Sequence, residues 1–529
     1  MSDRLKTTRS CTFAVTNFGR VFRTGLLCSV IMACVASSIA SAQSQLSVAS
    51  PFTDNAVLQR DVPVPVWGNA KPGTTVTVLF AGQEQSAEVD AEGFWKVQLE
   101  ALATNAEPQV LEISNGDAQI SLSNVLVGEV WICTGQSNMA MEVNKVPGVA
   151  ALLPSPSNIR CFEVKRTVAM TEQDRLTGEW VEQHPSSAVA FAFAHALEEA
   201  GDIPVGIILA CWGSSSIEAW MPRDMTETVP HFQTIMEEFD ADTATRDRIA
   251  SIIEPKRWSN KDDIFLRRQP NILYNAMMHP LAPFACRGVV WYQGERNTQS
   301  MRGMVKTPWF SRNSGMLKYG ETLKAWIQRY RKEWGNDEMH FMIVMLPGYH
   351  KLLPTGPKMS REQGAVDPSV HSWAWMRESQ MSALDLERTS VVNTIDLGDL
   401  TNIHPKDKLP IGRRLALFAA HETMGQEVEA FGPMLDNVET RGAQVIVNFR
   451  HATGLKTVDG KTPRGFWVAD DSARWVRANA EVQGQRVILN SELANPLYVR
   501  YAFVGKPDVN LVNGDDLPAY PFRTDDFEP

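Results

Sequence analysis

Four short segments carry side chains suited to splitting an ester: Gly135-Gln136-Ser137-Asn138, Trp212-Gly213-Ser214-Ser215-Ser216, Gln293-Gly294-Glu295-Arg296-Asn297 and Asn402-Ile403-His404-Pro405. They supply a serine hydroxyl, a small-residue turn with N–H groups, an amide beside an acid, and an imidazole. A neutral serine is a weak nucleophile, so a base must take its proton and return it to the leaving alcohol; His404 suits that task. The tetrahedral intermediate carries negative charge on the former carbonyl oxygen, where a well-aimed donor is worth about 3 to 4 kcal/mol. The backbone N–H groups of Ser137 and Gly213 and the side-chain amide of Gln293 are the candidate donors. Acyl transfer drawn this way calls for no metal ion and no cofactor. Each residue also has a purely structural alternative: Ser137 as a turn or N-cap residue, Gln293 with Glu295 as a strand-bridging pair, Asp396 and Asp399 as loop-turning residues. Among other histidines, His195 and His421 fall in helical patterns and His279 precedes its strand, at the opposite edge.

Each segment needs an element to deliver it. Five nearly continuous apolar runs, 126–133, 205–211, 288–292, 341–346 and 390–395, read as parallel strands covered on both faces. Amphipathic patterns lie between them, with Val189, Phe193, Ala196 and Leu197 on one helical face and Leu323, Trp326, Ile327, Tyr330 and Trp334 on another. The pattern predicts an α/β fold: a doubly wound, parallel, five-stranded sheet over residues 126–425, with a charged helical insertion at about 223–268. Ligands of such a sheet gather outside the carboxyl ends of its strands, and the catalytic candidates fall at those ends. Short alternating runs broken by Pro and Gly predict a β-sandwich-like domain over 43–125 and another β domain over 426–529. Trp131 and Trp291 read as core residues, while Trp212 and Trp220 are candidates to line a sugar site.

The chain has 529 residues, 44% hydrophobic and 21% charged, a globular balance spread over about three domains by a prior of roughly 150 residues each. Residues 1–42 differ in kind: Arg4, Lys6, Arg9, Arg20 and Arg23 precede an apolar, small-residue stretch closed by Ala40-Ser41-Ala42. This predicts a secretory signal peptide cleaved after Ala42, and thus a periplasmic or extracellular protein. A membrane anchor is the alternative, but the apolar run is shorter than the roughly 20 residues a span requires; Cys34 fits a lipid-attachment signal poorly. Setting aside residues 1–42, with five bases and one acid, moves the formal charge from -10 to -14. An acidic exported chain is a poor partner for nucleic acid or anionic membranes. Cys133, Cys161, Cys211 and Cys286 remain, without metal-ligand spacing and too few for a disulfide scaffold; they read as buried thiols.

Gly135-Gln136-Ser137-Asn138-Met139, Trp291-Tyr292-Gln293-Gly294-Glu295 and Ile403-His404-Pro405, in that order and each after a strand, resemble the sialate O-acetylesterase family of SGNH hydrolases. The likeness extends to Gly213 with Glu218-Ala219-Trp220-Met221-Pro222, to Arg377-Glu378-Ser379-Gln380 and to Gly412-Arg413-Arg414-Leu415-Ala416. The resemblance implies an SGNH, flavodoxin-like fold and a carbohydrate O-acetylesterase, with Ser137 as nucleophile, His404 as base, and Ser137, Gly213 and Gln293 forming the oxyanion hole. Family members often carry an acid two residues before the histidine, and many SGNH enzymes one three before it; this chain has Asn402 and Thr401 there. Glu295, matching an acid in some related acetylxylan esterases, is the first candidate to orient His404, Asp399 the alternative, and a Ser-His dyad the third. Ser214 stands where a second glycine is common. Arg296 replaces a small residue, either narrowing the pocket, binding a substrate carboxylate or forming an outward salt bridge. The expected substrate is an acetylated sugar, sialic acid or plant polysaccharide such as acetylxylan. Competing readings are an esterase for simple esters and an inactive carbohydrate-binding protein.

Overall fold

The strands that deliver the candidate residues are β1 (Gln119–Gly135), β2 (Ile159–Glu163), β3 (Trp180–Val181), β4 (Val205–Cys211), β5 (Gly288–Tyr292), β6 (His340–Val344) and β7 (Thr389–Val392). The computed structural model describes residues 45–155, 157–253, 259–299, 314–350, 360–369 and 373–527; the expected signal peptide, residues 1–42, lies outside them. Across the sheet the order is β3-β2-β4-β1-β5-β6-β7. Every pairing is parallel except that of β3 with β2. The five expected strands are contiguous, but the expected count of five is too low. The sheet has a sixth parallel strand, β2, and an antiparallel edge, β3. β2 escapes sequence reading because Arg160 interrupts its apolar run, and the structure explains that charge: the buried guanidinium donates to the Asn55 carbonyl at 3.0 Å and to the Asn124 side chain at 2.8 Å.

Register decides which face each side chain takes. Trp131 pairs with Gly288 and Trp291 with Thr134, which, at a period of two, sends the two tryptophans to opposite faces. Both are fully buried. Trp131 meets Phe193 of α1 (Ala188–Gly201) at 5.4 Å between ring centroids, and Trp291 meets Trp326 of α2 (Gly315–Trp334) at 4.6 Å. Helices therefore cover both faces. α1 starts where Ser187 accepts a hydrogen bond from the Ala190 N–H and stops at Asp202 in the left-handed region; α2 stops at Gly335, also left-handed. Two further helices matter for the site. α3 (Ala374–Met381) packs on α2, and α4 (Leu409–Met424), which follows the His404 loop, packs on α1. A methyl group on Gly412 of α4 would lie 2.4 Å from Ala192 Cβ, so this glycine sets how closely α4 approaches α1. Residues between 223 and 266 form short helices, at Pro230–Ala241, Thr243–Ile253 and Asn260–Leu266.

β1 is unusually long because it serves two layers. Its first half pairs with Asn105–Ser114 and Val57–Gln59 of the N-terminal β layer, and its second half lies between β4 and β5. A buried ion cluster fixes the crossing point: Glu129 accepts from Arg60 Nε at 2.7 Å and Arg287 Nη2 at 2.8 Å, joining the N-terminal layer to the start of β5. Beyond α4 the chain forms two four-stranded antiparallel sheets and a two-stranded ribbon. These are tied back to the α/β layer by Arg523 on Glu378 of α3 at 2.6 Å and by Arg377, whose buried guanidinium donates to the carbonyls of Val504 and Gly505.

Gly135 ends β1 with φ of 132°, and a methyl group there would lie 2.3 Å from the Tyr292 carbonyl oxygen. Gly135→Ala is accordingly expected to lower unfolding stability by about 2 kcal/mol or more, measured by denaturant titration against the wild type.

Candidate active site

Gly135 lies in register with Cys211 on one side and Tyr292 on the other. The residues that follow all three strands therefore leave the sheet at one edge. Two backbone bonds lock the exit, Gln136 N–H to the Tyr292 carbonyl and Trp212 N–H to the Gly135 carbonyl, both at 3.0 Å. Ser137 and Gly213 are thereby brought side by side, and a methyl group on Gly213 would lie 3.3 Å from Ser137 Cβ. Ser214 takes the left-handed conformation, φ 60°, that turns the chain away. Among the described residues, neither the Ser137 N–H nor the Gly213 N–H has a protein acceptor.

The imidazole arrives from the loop between β7 and α4. His404 Nε2 is 2.8 Å from Ser137 Oγ, and both residues are half-buried. Nested side-chain turns shape this loop: Asp399 Oδ1 accepts from the Thr401 N–H and the Asn402 N–H, each at 2.7 Å, and Asn402 Oδ1 accepts from the His404 N–H at 2.9 Å. The same donors hold the Asp399 carboxyl below its ordinary value. Asp396 instead forms a two-pronged pair with Arg414 of α4, at 2.8 and 2.7 Å.

Among the described residues neither Asp399 nor Glu295 is hydrogen-bonded to the imidazole. Asp399 is engaged by its own loop. Glu295, buried, accepts through Oε1 from Asn138 Nδ2, while its Oε2 has no partner among the described residues. Among the described residues no carboxylate accepts a hydrogen bond from His404. Burial, and then the charge of Lys408, keep the imidazole below its usual pKa. Gln293 also differs from expectation. Its amide nitrogen donates to Asn297 Oδ1 at 2.9 Å, the Ser215 carbonyl at 3.1 Å and Gln136 Oε1 at 3.3 Å, and its oxygen accepts from Tyr319 at 2.8 Å. With its donors turned to neighbouring loops, Gln293 braces the ends of three strands rather than facing Ser137.

Sequence reading missed Lys408. Its ammonium, fully buried, donates to Asn138 Oδ1 at 2.6 Å and approaches the Tyr292 hydroxyl at 3.4 Å. Burial pulls its pKa down to about 7, opposed by Glu295 and Asp407. Burial pushes the Glu295 carboxyl up, opposed by the Asn138 hydrogen bond and by Lys408. Asn138 thus stands between a buried base and a buried acid, and its amide also donates to the Ile403 carbonyl at 3.0 Å, next to His404. In the sequence Lys406-Asp407-Lys408 looks like an exposed charge run; only the start of α4 one residue later hints that Lys408 turns inward. Trp220 is fully buried, donating to Ser215 Oγ at 2.9 Å, and Trp212 is nearly so. Both serve the core beneath the site. Arg296 is buried as well, its pKa drawn down to about 9 by burial and the neighbouring charge of Arg268. Cys133, Cys161, Cys211 and Cys286 are buried, unpaired thiols, which burial pushes toward the protonated form.

Residues 127–419, more than half of the chain, match the family described as carbohydrate esterase, sialic acid-specific acetylesterase. The chain belongs to that family. It is similar along nearly its whole length to the sialate O-acetylesterases of Mus musculus, at 24% identity with 91% of this chain and 94% of the relative covered, and of Homo sapiens, at 25% identity with 91% and 92% covered. A solved structure of a carbohydrate acetylesterase from Xanthomonas citri superposes with a TM-score of 0.74 at 33% identity, covering 91% of this chain and 100% of that one. The protein is a carboxylic ester hydrolase, a carbohydrate O-acetylesterase. Among the described residues no helix is long and apolar enough to cross a membrane.

Asn138 satisfies two buried ionisable groups at once. Asn138→Ala leaves Glu295 and Lys408 without their shared partner and is expected to cost about 2 to 4 kcal/mol of stability. Comparing urea midpoints of variant and wild type checks this; a loss under about 0.5 kcal/mol would show the network to be energetically idle.

Proposed function

We propose that Ser137 is the nucleophile and His404 the general base of a Ser-His dyad that removes acetyl groups from O-acetylated sugars. The observation that carries this reading is the 2.8 Å contact between Ser137 Oγ and His404 Nε2 at the edge where β1, β4 and β5 end. His404 takes the serine proton as Oγ attacks the acetyl carbon, the oxyanion collects the N–H groups of Ser137 and Gly213, and the proton passes to the leaving sugar hydroxyl. Water, activated by the same imidazole, then releases acetate. Asn138, Glu295 and Lys408 hold the serine strand and the histidine loop in register, and Asp399 shapes the loop without touching the imidazole.

Sialic acid is the favoured substrate on the strength of the family and its mammalian relatives; acetylated xylan is the second. The core of the sheet, ordered β4-β1-β5-β6-β7, supports the SGNH, flavodoxin-like assignment. The division into domains at 43–125, 126–425 and 426–529 is retained as a functional one, with the middle part catalytic. β1, however, runs across the first boundary. We further infer export through residues 1–42 to the periplasm or cell exterior.

Acetate release from a chromogenic acetyl ester is expected to fall at least about 1,000-fold in Ser137→Ala and in His404→Ala, with circular dichroism unchanged; ordinary turnover in either variant overturns the mechanism. A pH profile tests the electrostatics. Because burial and Lys408 both disfavour the imidazolium, the acid limb of kcat/KM is expected to inflect below the ordinary histidine value of about 6.5. Lys408→Met removes the nearby positive charge, raises the His404 pKa and moves that limb to higher pH.

A further inference from the structure

We infer that the cleft between the C-terminal β domain and residues 363–369 is a glycan-binding groove, in which Trp467 and Trp475 stack neutral sugar rings neighbouring the acetylated one. The inference rests on membership of a carbohydrate esterase family and is independent of the dyad. Among the described residues every other tryptophan is buried, whereas these two stay half-exposed. Trp467 pairs with Arg477 and Ala469 with Trp475 on the antiparallel strands Phe466–Ala469 and Trp475–Arg477, so both indoles project from one face of their sheet. Val468, between them in register, is buried on the other face. Two large apolar rings kept side by side at a surface mark a place where something else covers them. Two adjoining cavities, of about 220 and 390 Å³, share Trp467 and Val366, and Trp475 lines the larger.

The chemistry of the cleft suits a sugar. A pyranose with equatorial substituents shows C–H groups on its faces and hydroxyls around its rim; indole faces match the first, and Asn479, Asp367 and Ser369 in the cleft wall match the second. The cleft offers an anion little, since Arg464 is taken by Asp459 at 2.7 Å and Asp508 at 3.1 Å. The groove is also preformed. Arg477 lies over the Trp467 ring at 5.0 Å and Arg500 over the Trp475 ring at 4.4 Å, each holding one face of its indole. Arg500 donates as well to the Pro368 carbonyl and pairs with Asp525 at 2.6 Å, which pins the two walls together. Its place in the fold links it to the chemistry. The Lys506 N–H donates to the Ala365 carbonyl at 3.1 Å, the Tyr349 N–H to the Gly505 carbonyl at 3.1 Å, and the Gly348 N–H to the Leu397 carbonyl at 3.0 Å. Residues 348 and 397 follow β6 and β7, so these bonds lead from the groove wall to the loop that carries Asp399 and His404, at the edge where Ser137 lies.

Calorimetric titration of the full chain with xylohexaose, xylose, sialyllactose and N-acetylneuraminic acid tests the groove without relying on turnover, since none of them carries an O-acetyl ester. At least one oligosaccharide is expected to bind at least about 10-fold more tightly than its monosaccharide. Which one does so identifies the neutral rings as those of a plant polysaccharide or those beneath a sialic acid. Trp467→Ala and Trp475→Ala are expected to erase most of that gain while acetate release from a chromogenic acetyl ester stays unchanged, and Trp467→Phe, which keeps an aromatic face, is expected to retain most of it. The comparison within the wild type needs no variant to fold. Oligosaccharides that bind the wild type no better than their monosaccharides, or alanine variants that keep the full gain, overturn the proposal. Oligosaccharide preference without any turnover of the chromogenic ester defeats the dyad and leaves the groove standing, and turnover without that preference does the reverse.

Discussion

The site rests on one alignment: Gly135 stands level with both Cys211 and Tyr292 in a parallel sheet. Parallel strands share direction, so three strands that end level deliver three loops to one edge, and no side chain has to reach far to meet the others. The alignment tolerates almost no side chain at its centre. Gly135 touches the Tyr292 carbonyl so closely that any Cβ would displace the strand, and with it Ser137. The two N–H groups aimed at the reacting oxygen in the proposed mechanism, those of Ser137 and Gly213, come from backbone fixed by this register. They require no rotamer choice at the moment of reaction, which is what makes such donors effective. Gln293 and Gln380 hold the third strand end in place. Gln293 binds the Ser215 carbonyl, Gln136 and Asn297, and Gln380 donates to the Gln293 carbonyl at 3.0 Å while accepting from the Leu346 N–H at 2.9 Å.

Much of this was legible in the sequence, for a physical reason. Strands buried on both faces are apolar throughout, and polar residues directly after them mark the functional edge. That logic brings Ser137, Gly213 and His404 to one edge, where His404 Nε2 meets Ser137 Oγ and Gly213 lies beside Ser137. It fails where polarity is internal to the core. β2 was invisible because Arg160 spends its charge on buried carbonyls, and Lys408 looked like a surface lysine. The triad role of Glu295 is implied only by the resemblance to related acetylxylan esterases, and the pairing of Glu295 with Asn138 depends on a rotamer that no spacing encodes. Gln293 shows the same limit: an amide at a strand end is as well suited to bracing neighbouring loops as to binding an oxyanion, and spacing does not show which acceptors it meets.

The network around Asn138 also bears on how the histidine of the proposed dyad works with no carboxylate hydrogen-bonded to it among the described residues. In a triad the acid fixes the imidazole tautomer and stabilises the imidazolium that forms during attack. Here the His404 backbone is fixed by Asn402, and the loop by Asp399, so orientation comes from the chain rather than from an ion pair.

The imidazolium is a harder problem, since burial and Lys408 both oppose it. The proposed chemistry eases it in two ways. The positive charge on His404 appears together with the negative oxyanion, a few ångströms away in a partly desolvated site, where opposite charges attract more strongly than in water. Burial of Lys408 also disfavours its own charged form, which lessens the repulsion that a protonated His404 meets in the proposed mechanism.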